Sequence, residues 1–167
     1  MTRRFGWYGS SLLFIAAACA PRPVDQAAAG AVVDTAAIKV ALDSVRGQYM
    51  RFYAARDAAG IAALYSEAGG IDFYGAPPMR GKAGIEAGLN AGFAVQKPVL
   101  LEIVAMRTTP IGDARVGELG TYHTMDSLNG KAVHAWGRFV TSGAKDSTGA
   151  WRLNYLMAFP DSTKTDK

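Results

Sequence analysis

The chain has 167 residues, about one domain at roughly 150 residues per domain. Half of the residues are hydrophobic and 19% are charged, the balance of a chain that buries a core rather than a disordered one. Two of the four net positive charges are the adjacent Arg3 and Arg4, and the remaining Lys and Arg are scattered with no basic stripe, which excludes a nucleic-acid footprint; a single cysteine excludes an internal disulfide framework.

The N-terminus opens with Arg3 and Arg4, continues apolar to Ala18, and meets the lone cysteine at Cys19. A basic start, an apolar stretch and the small residues Ala16, Ala17 and Ala18 make a processing signal too short to span a membrane. The arrangement resembles a bacterial lipoprotein signal. That resemblance implies removal of residues 1–18, lipidation of Cys19 and an exported, membrane-anchored protein facing the periplasm or cell exterior. The same residues also fit an ordinary signal peptide with Cys19 incidental. Residues 19–35 carry two prolines and many alanines and read as a tether.

Ile38, Leu42, Val45, Tyr49 and Tyr53 follow at helical spacing and predict one long helix with Asp34 or Thr35 as its cap. Asp57 predicts the N-cap of a second helix over 58–66. A short extended piece, Ile71 to Tyr74, precedes the turn Gly75-Ala76-Pro77-Pro78. A third helix is expected over 82–93. From Pro98 the apolar period changes to two, and 99–107, 115–125, 132–142 and 151–159 read as four strands of an antiparallel meander. The expected class is α+β, three helices on one face of a curved antiparallel sheet. The domain is expected over 36–160, with a disordered tail over 161–167.

Arg51 to Leu89, Gly120-Thr121-Tyr122, Gly137-Arg138-Phe139 and Trp151-Arg152-Leu153 together carry a resemblance. They are similar to the SnoaL-like and ketosteroid-isomerase-like branch of the nuclear transport factor 2-like superfamily. The resemblance implies a cone-shaped fold with a pocket between sheet and helices. It implies less about activity, because this fold hosts isomerases, dehydratases, cyclases and binding modules.

Tyr49 stands eight residues before Asp57, where the resemblance places an oxyanion-binding tyrosine; it is also a core position of the helix stripe. The matching base position falls on Phe73, with Asp72 beside it, and strand alternation points neighbours to opposite faces. Asp72 therefore reaches a pocket only through a bulge. No carboxylate lies near Trp136 to Arg138, so the isomerase triad is not reproduced. His123 and His134 fall near each other on adjacent strands without a third metal ligand. Glu102 and Glu118 read as solvent-face residues or as buried acids.

The sequence thus predicts a hydrophobic ligand pocket lined by Tyr49, Tyr53, Tyr74, Tyr122, Trp136, Arg138, Tyr155 and Met157. No metal or cofactor is expected. The expected partners are a small hydrophobic or aromatic molecule, a membrane through the lipid, and a second copy of the chain, with no nucleic acid. The rival expectation is a metal-independent isomerase, dehydratase or cyclase using Tyr49 with Asp72 or His134. A third is a dimerising interaction module.

Overall fold

The computed structural model describes residues 33–166. The expected leader, Cys19 and most of the tether lie outside the described residues. Asp34 caps helix α1, Thr35–Ala55, by accepting the Ala37 amide at 2.9 Å. That bond satisfies one of the donors a helix start leaves open. The predicted stripe is the buried one: Ile38, Leu42, Val45 and Tyr49 all face inward. The helix ends at Arg56, whose backbone is left-handed at φ 57°. Asp57 then caps α2, Ala58–Ala63, through the Gly60 amide at 2.8 Å.

Helix α2 is shorter than expected. The chain is already extended at Tyr65, and β1 runs Tyr65–Phe73. Gly69 and Gly70 disfavour a helix, and β6 supplies backbone partners for this segment. A two-residue strand, β2 (Met79–Arg80), pairs antiparallel with β1. Gly81, at φ 66°, turns the chain into α3, Gly81–Val95, whose Ile85 and Leu89 are buried.

The meander follows: β3 (Lys97–Ile111), β4 (Arg115–Leu128), β5 (Lys131–Lys145) and β6 (Trp151–Thr165). The six strands lie in the order β2-β1-β6-β5-β4-β3. Strands β3 to β6 pair antiparallel, as expected. The pairing of β1 with β6 is parallel, so the sheet is mixed rather than wholly antiparallel. A parallel neighbour requires a long crossover, and here everything between Phe73 and Trp151 supplies it. The expected tail begins too early: β6 is strand to Thr165, which pairs with Val133. The helices cover one face of the curved sheet, and the fold is α+β. The main core joins Tyr49, Ile61, Tyr65, Ile71, Ile85 and Leu89 across all three helices and β1.

Bulges set which side chains face the helices. Ser142 pairs with Tyr155 while Gly143 pairs with Leu153, so Asn154 is the extra residue on β6. Another shift falls on β3 between Pro98 and Leu100. No helix among the described residues is long and apolar enough to cross a membrane.

Candidate functional site

A cavity of ≈ 760 Å³ lies between the helices and the inner face of the sheet. That is within the range of small-molecule sites, roughly 300 to 1,000 Å³. Leu42, Val45 and Tyr49 of α1 form one side. Gly84, Gly88 and Gly92 present the backbone of α3 on another. Val116, Tyr122, Phe139, Leu156 and Ala158 form much of the sheet side.

Two polar clusters interrupt this wall. Arg46 Nη1 donates to both carboxylate oxygens of Glu118 at 2.5 Å, and Thr108 Oγ1 donates to Glu118 Oε2 at 2.9 Å. Arg46 also pairs with Asp43 at the surface. Glu118 is 6% exposed, so this is a buried ion pair whose acceptor is fully engaged. The second cluster is Tyr53 and Asp126. The Tyr53 hydroxyl donates to Asp126 Oδ1 at 2.9 Å, and Asp126 is 6% exposed. The two carboxylates stand eight residues apart on β4, about 26 Å along an extended strand.

Burial raises the Asp126 carboxyl above its ordinary value, and the Tyr53 hydrogen bond partly opposes that. Tyr53 is pushed far up, first by burial and then by the Asp126 charge. Burial raises Tyr49 to about 12. Tyr65, wholly buried beside it, is raised by the same cause, and its hydroxyl finds no hydrogen-bond partner of normal geometry. These phenols hold their protons at neutral pH and can act only as neutral hydrogen-bonding groups.

Of the residues expected at the pocket, Tyr49, Tyr53, Tyr74 and Tyr122 line the cavity. Asp72, His134, Trp136, Arg138, Tyr155 and Met157 do not. Asp72 follows plain alternation: Ile71 is buried and Phe73 lines the cavity, while the only register shift in β1 falls between Tyr65 and Gly70. Its carboxylate instead accepts from Arg80 Nη2 at 3.0 Å and from the Tyr155 hydroxyl. Arg80 first and Tyr155 second hold the Asp72 carboxyl below its usual range. The bulge at Asn154 reverses the expected parity of β6, so Leu156 and Ala158 take the cavity positions foreseen for Tyr155 and Met157.

His134, Trp136 and Arg138 stand on the opposite face of β5 from Ala135 and Phe139, which line the cavity. There the two histidines are neighbours, with His123 Nε2 and His134 Nδ1 3.0 Å apart. His123 Nδ1 meets Glu102 at 2.9 Å, and the Trp136 ring lies nearly parallel to His123 at 4.8 Å between centroids. Arg138 is tied to Asp161 at 2.7 Å. Among the described residues, no three His, Cys, Asp or Glu side chains converge as metal ligands.

Asp126 and Arg46 were not anticipated. The signal for Asp126 was available: it shares strand parity with Glu118 and Tyr122, but the strand was expected to end at Met125. Arg46 sits one position beyond the apolar stripe and reads from sequence as a solvent-facing base.

No protein-family model matches the sequence, and no curated protein is similar to it. Solved structures do resemble it. A ketosteroid isomerase-like protein from Erwinia carotovora atroseptica SCRI1043 aligns with TM-score 0.67 and 14% identity, covering 74% of this chain and 95% of that one. A type 2 hexachlorocyclohexane dehydrochlorinase, LinA, aligns with TM-score 0.70 and 11% identity, covering 79% and 90%. A scytalone dehydratase-like protein from Novosphingobium aromaticivorans DSM 12444 aligns with TM-score 0.68 and 10% identity, covering 79% and 89%. At these identities the likeness is one of fold: the chain has the nuclear transport factor 2-like fold.

Proposed function

We propose that this chain is an envelope lipoprotein, anchored through Cys19, whose cavity binds one small hydrophobic or aromatic molecule without converting it. The observation that supports the binding part of this reading is the cavity itself: ≈ 760 Å³, mostly apolar, with the one basic residue of its wall among the described residues already paired to Glu118; the anchor rests on the Arg3–Arg4, apolar stretch and Cys19 pattern of the sequence. Apolar pockets with a few placed polar groups are the usual form of small-molecule sites. The test is titration with uncharged phenylnaphthylamine, followed by fluorescence. The expected result is saturable one-to-one binding in the micromolar range. Gly92→Leu should weaken it at least tenfold. Gly92 lines the cavity, and a Cβ there meets nothing within 4 Å, so the larger side chain enters open space at the cavity wall without displacing the core. Absence of saturable binding, or equal binding by the variant, would reject the reading.

A second reading is supported by Asp126 beside Tyr53. A carboxylate in an apolar cavity next to a hydroxyl donor is the pair that general acid–base chemistry uses. Neighbours of this fold include a protein described as a dehydrochlorinase. On this reading the chain is an isomerase, dehydratase or related lyase with Asp126 as the base. Turnover of a candidate substrate, abolished in Asp126→Asn with binding retained, would establish it over simple binding.

A further inference from the structure

Three side chains of the cavity wall are of the charged type among the described residues: Arg46, Glu118 and Asp126. The first two neutralise each other. Asp126 has no such partner. Its hydrogen bond comes from the neutral Tyr53 hydroxyl at 2.9 Å, and no Lys or Arg among the described residues lies within ion-pair distance. A buried carboxylate is costly unless a cation or several donors meet it. Asp126 has one donor.

The direction of that hydrogen bond matters. Tyr53 spends its only proton on Asp126, so the pair turns only acceptor capacity toward the cavity. A ligand that meets it as a donor completes the carboxylate's shell. A ligand that offers only a carbonyl oxygen finds no proton there unless Asp126 is itself protonated. The surroundings favour a cationic donor. Tyr53 and Phe93 meet edge to face at 5.7 Å between ring centroids, and Tyr122 lines the same cavity from β4. Aromatic faces attract ammonium groups once water is displaced.

We infer that the cavity's ligand carries a basic nitrogen, protonated at neutral pH, that pairs with Asp126 beside Tyr53 while its apolar or aromatic body fills the space toward Tyr49 and Leu156. The inference rests on the cavity being a ligand site and adds the chemical class of what fills it. It also makes the Arg46–Glu118 pair a filter: with its own charges matched, that end of the cavity offers nothing to an anion.

The test uses two probes of one shape, naphthylmethylamine and naphthylmethanol, titrated calorimetrically into the intact chain in detergent at neutral pH. The amine should bind about 10- to 100-fold more tightly, the range expected for one charged hydrogen-bond partner. In Asp126→Asn the two affinities should fall within about threefold of each other. Tyr53→Phe keeps the carboxylate and should keep the preference, so the inference stays testable if the Asn variant does not fold. The inference is overturned if the alcohol binds the wild-type chain as well as the amine, or if the preference survives in Asp126→Asn. Uncharged phenylnaphthylamine separates the two layers. If it binds and the amine has no advantage, only the cationic assignment fails. If no probe binds, the ligand cavity fails and the assignment with it.

Discussion

The Arg46 guanidinium and the Glu118 carboxylate join across 72 residues of sequence, 2.5 Å apart, and lock α1 onto β4. The Glu118 carboxylate is buried and the Arg46 side chain largely so, at 4% and 13% exposed. Removing Arg46 strands the Glu118 carboxylate with only Thr108, whereas removing Glu118 leaves Arg46 its pair with Asp43. Arg46→Met should destabilise the fold by about 3 to 5 kcal/mol, and Glu118→Gln by less, because Arg46 keeps Asp43. The double variant Arg46→Met/Glu118→Leu should cost clearly less than the sum of the two single changes. Urea denaturation of the four proteins gives the coupling, and strict additivity would contradict a locked pair.

Asp126 makes a prediction with a definite sign. Its carboxyl is raised in the folded protein, so the fold binds a proton there more readily than the unfolded chain does. The contribution of this group to stability therefore falls as pH rises from the ordinary carboxylate range through the folded value, and stays lowered above it. Asp126→Asn should gain stability relative to wild type as pH rises from the ordinary carboxylate range through the raised folded value. Tyr53→Phe should lose about 1 to 3 kcal/mol at neutral pH, because the carboxylate loses its donor. Chemical denaturation across pH measures both.

Gly137 lies under the Tyr122 ring. A Cβ at that position would collide with both the ring and the Phe159 carbonyl across the strand. Gly137→Ala should cost about 1 to 3 kcal/mol, the usual range for overpacking, and should displace Tyr122 in the cavity. Thermal unfolding reads the first effect and probe affinity the second.

The outer face of the sheet leaves Met106 67% exposed and Val140 53% exposed, with Val104 and Trp136 nearby in the strands. We propose that a second copy of the chain covers this face. Val140→Glu should then convert a dimer into a monomer in sedimentation at tens of micromolar, about the range in which weak association still registers. A wild-type monomer at that concentration would refute the proposal.

For the anchor proposed at Cys19, Cys19→Ser should move the protein from the membrane fraction to the soluble fraction. Continued sedimentation with membranes would count against lipidation.

Much of this fold is legible in the residues. The stripe from Ile38 to Tyr49, the caps Asp34 and Asp57, and the alternation of the four long strands are local signals, and each corresponds to an observed element. What escaped was non-local. Nothing near Ile71 announces that its neighbour is Leu156, so the parallel pairing is invisible in the pattern. A bulge inserts one residue without a sequence mark, and the one at Asn154 moved Tyr155 and Met157 off the cavity wall. Asp126 was missed because a polar residue near the end of an alternating run looks like the start of a turn. Tertiary burial beneath Tyr53 makes it part of the site instead.

The parallel strand pair also governs when the cavity can exist. Strand β1 precedes the whole meander in sequence, yet among the described residues its partners are two residues of β2 and then β6, which comes after β3, β4 and β5. Until β6 arrives, Phe73 has no neighbour in Ala158, and the edges of β1 and β5 stand open. Contacts between residues this distant in sequence form late and slow folding. A chain in which β6 has not yet paired therefore has no finished cavity. Loss of β6 would remove a wall of the cavity rather than shorten an end.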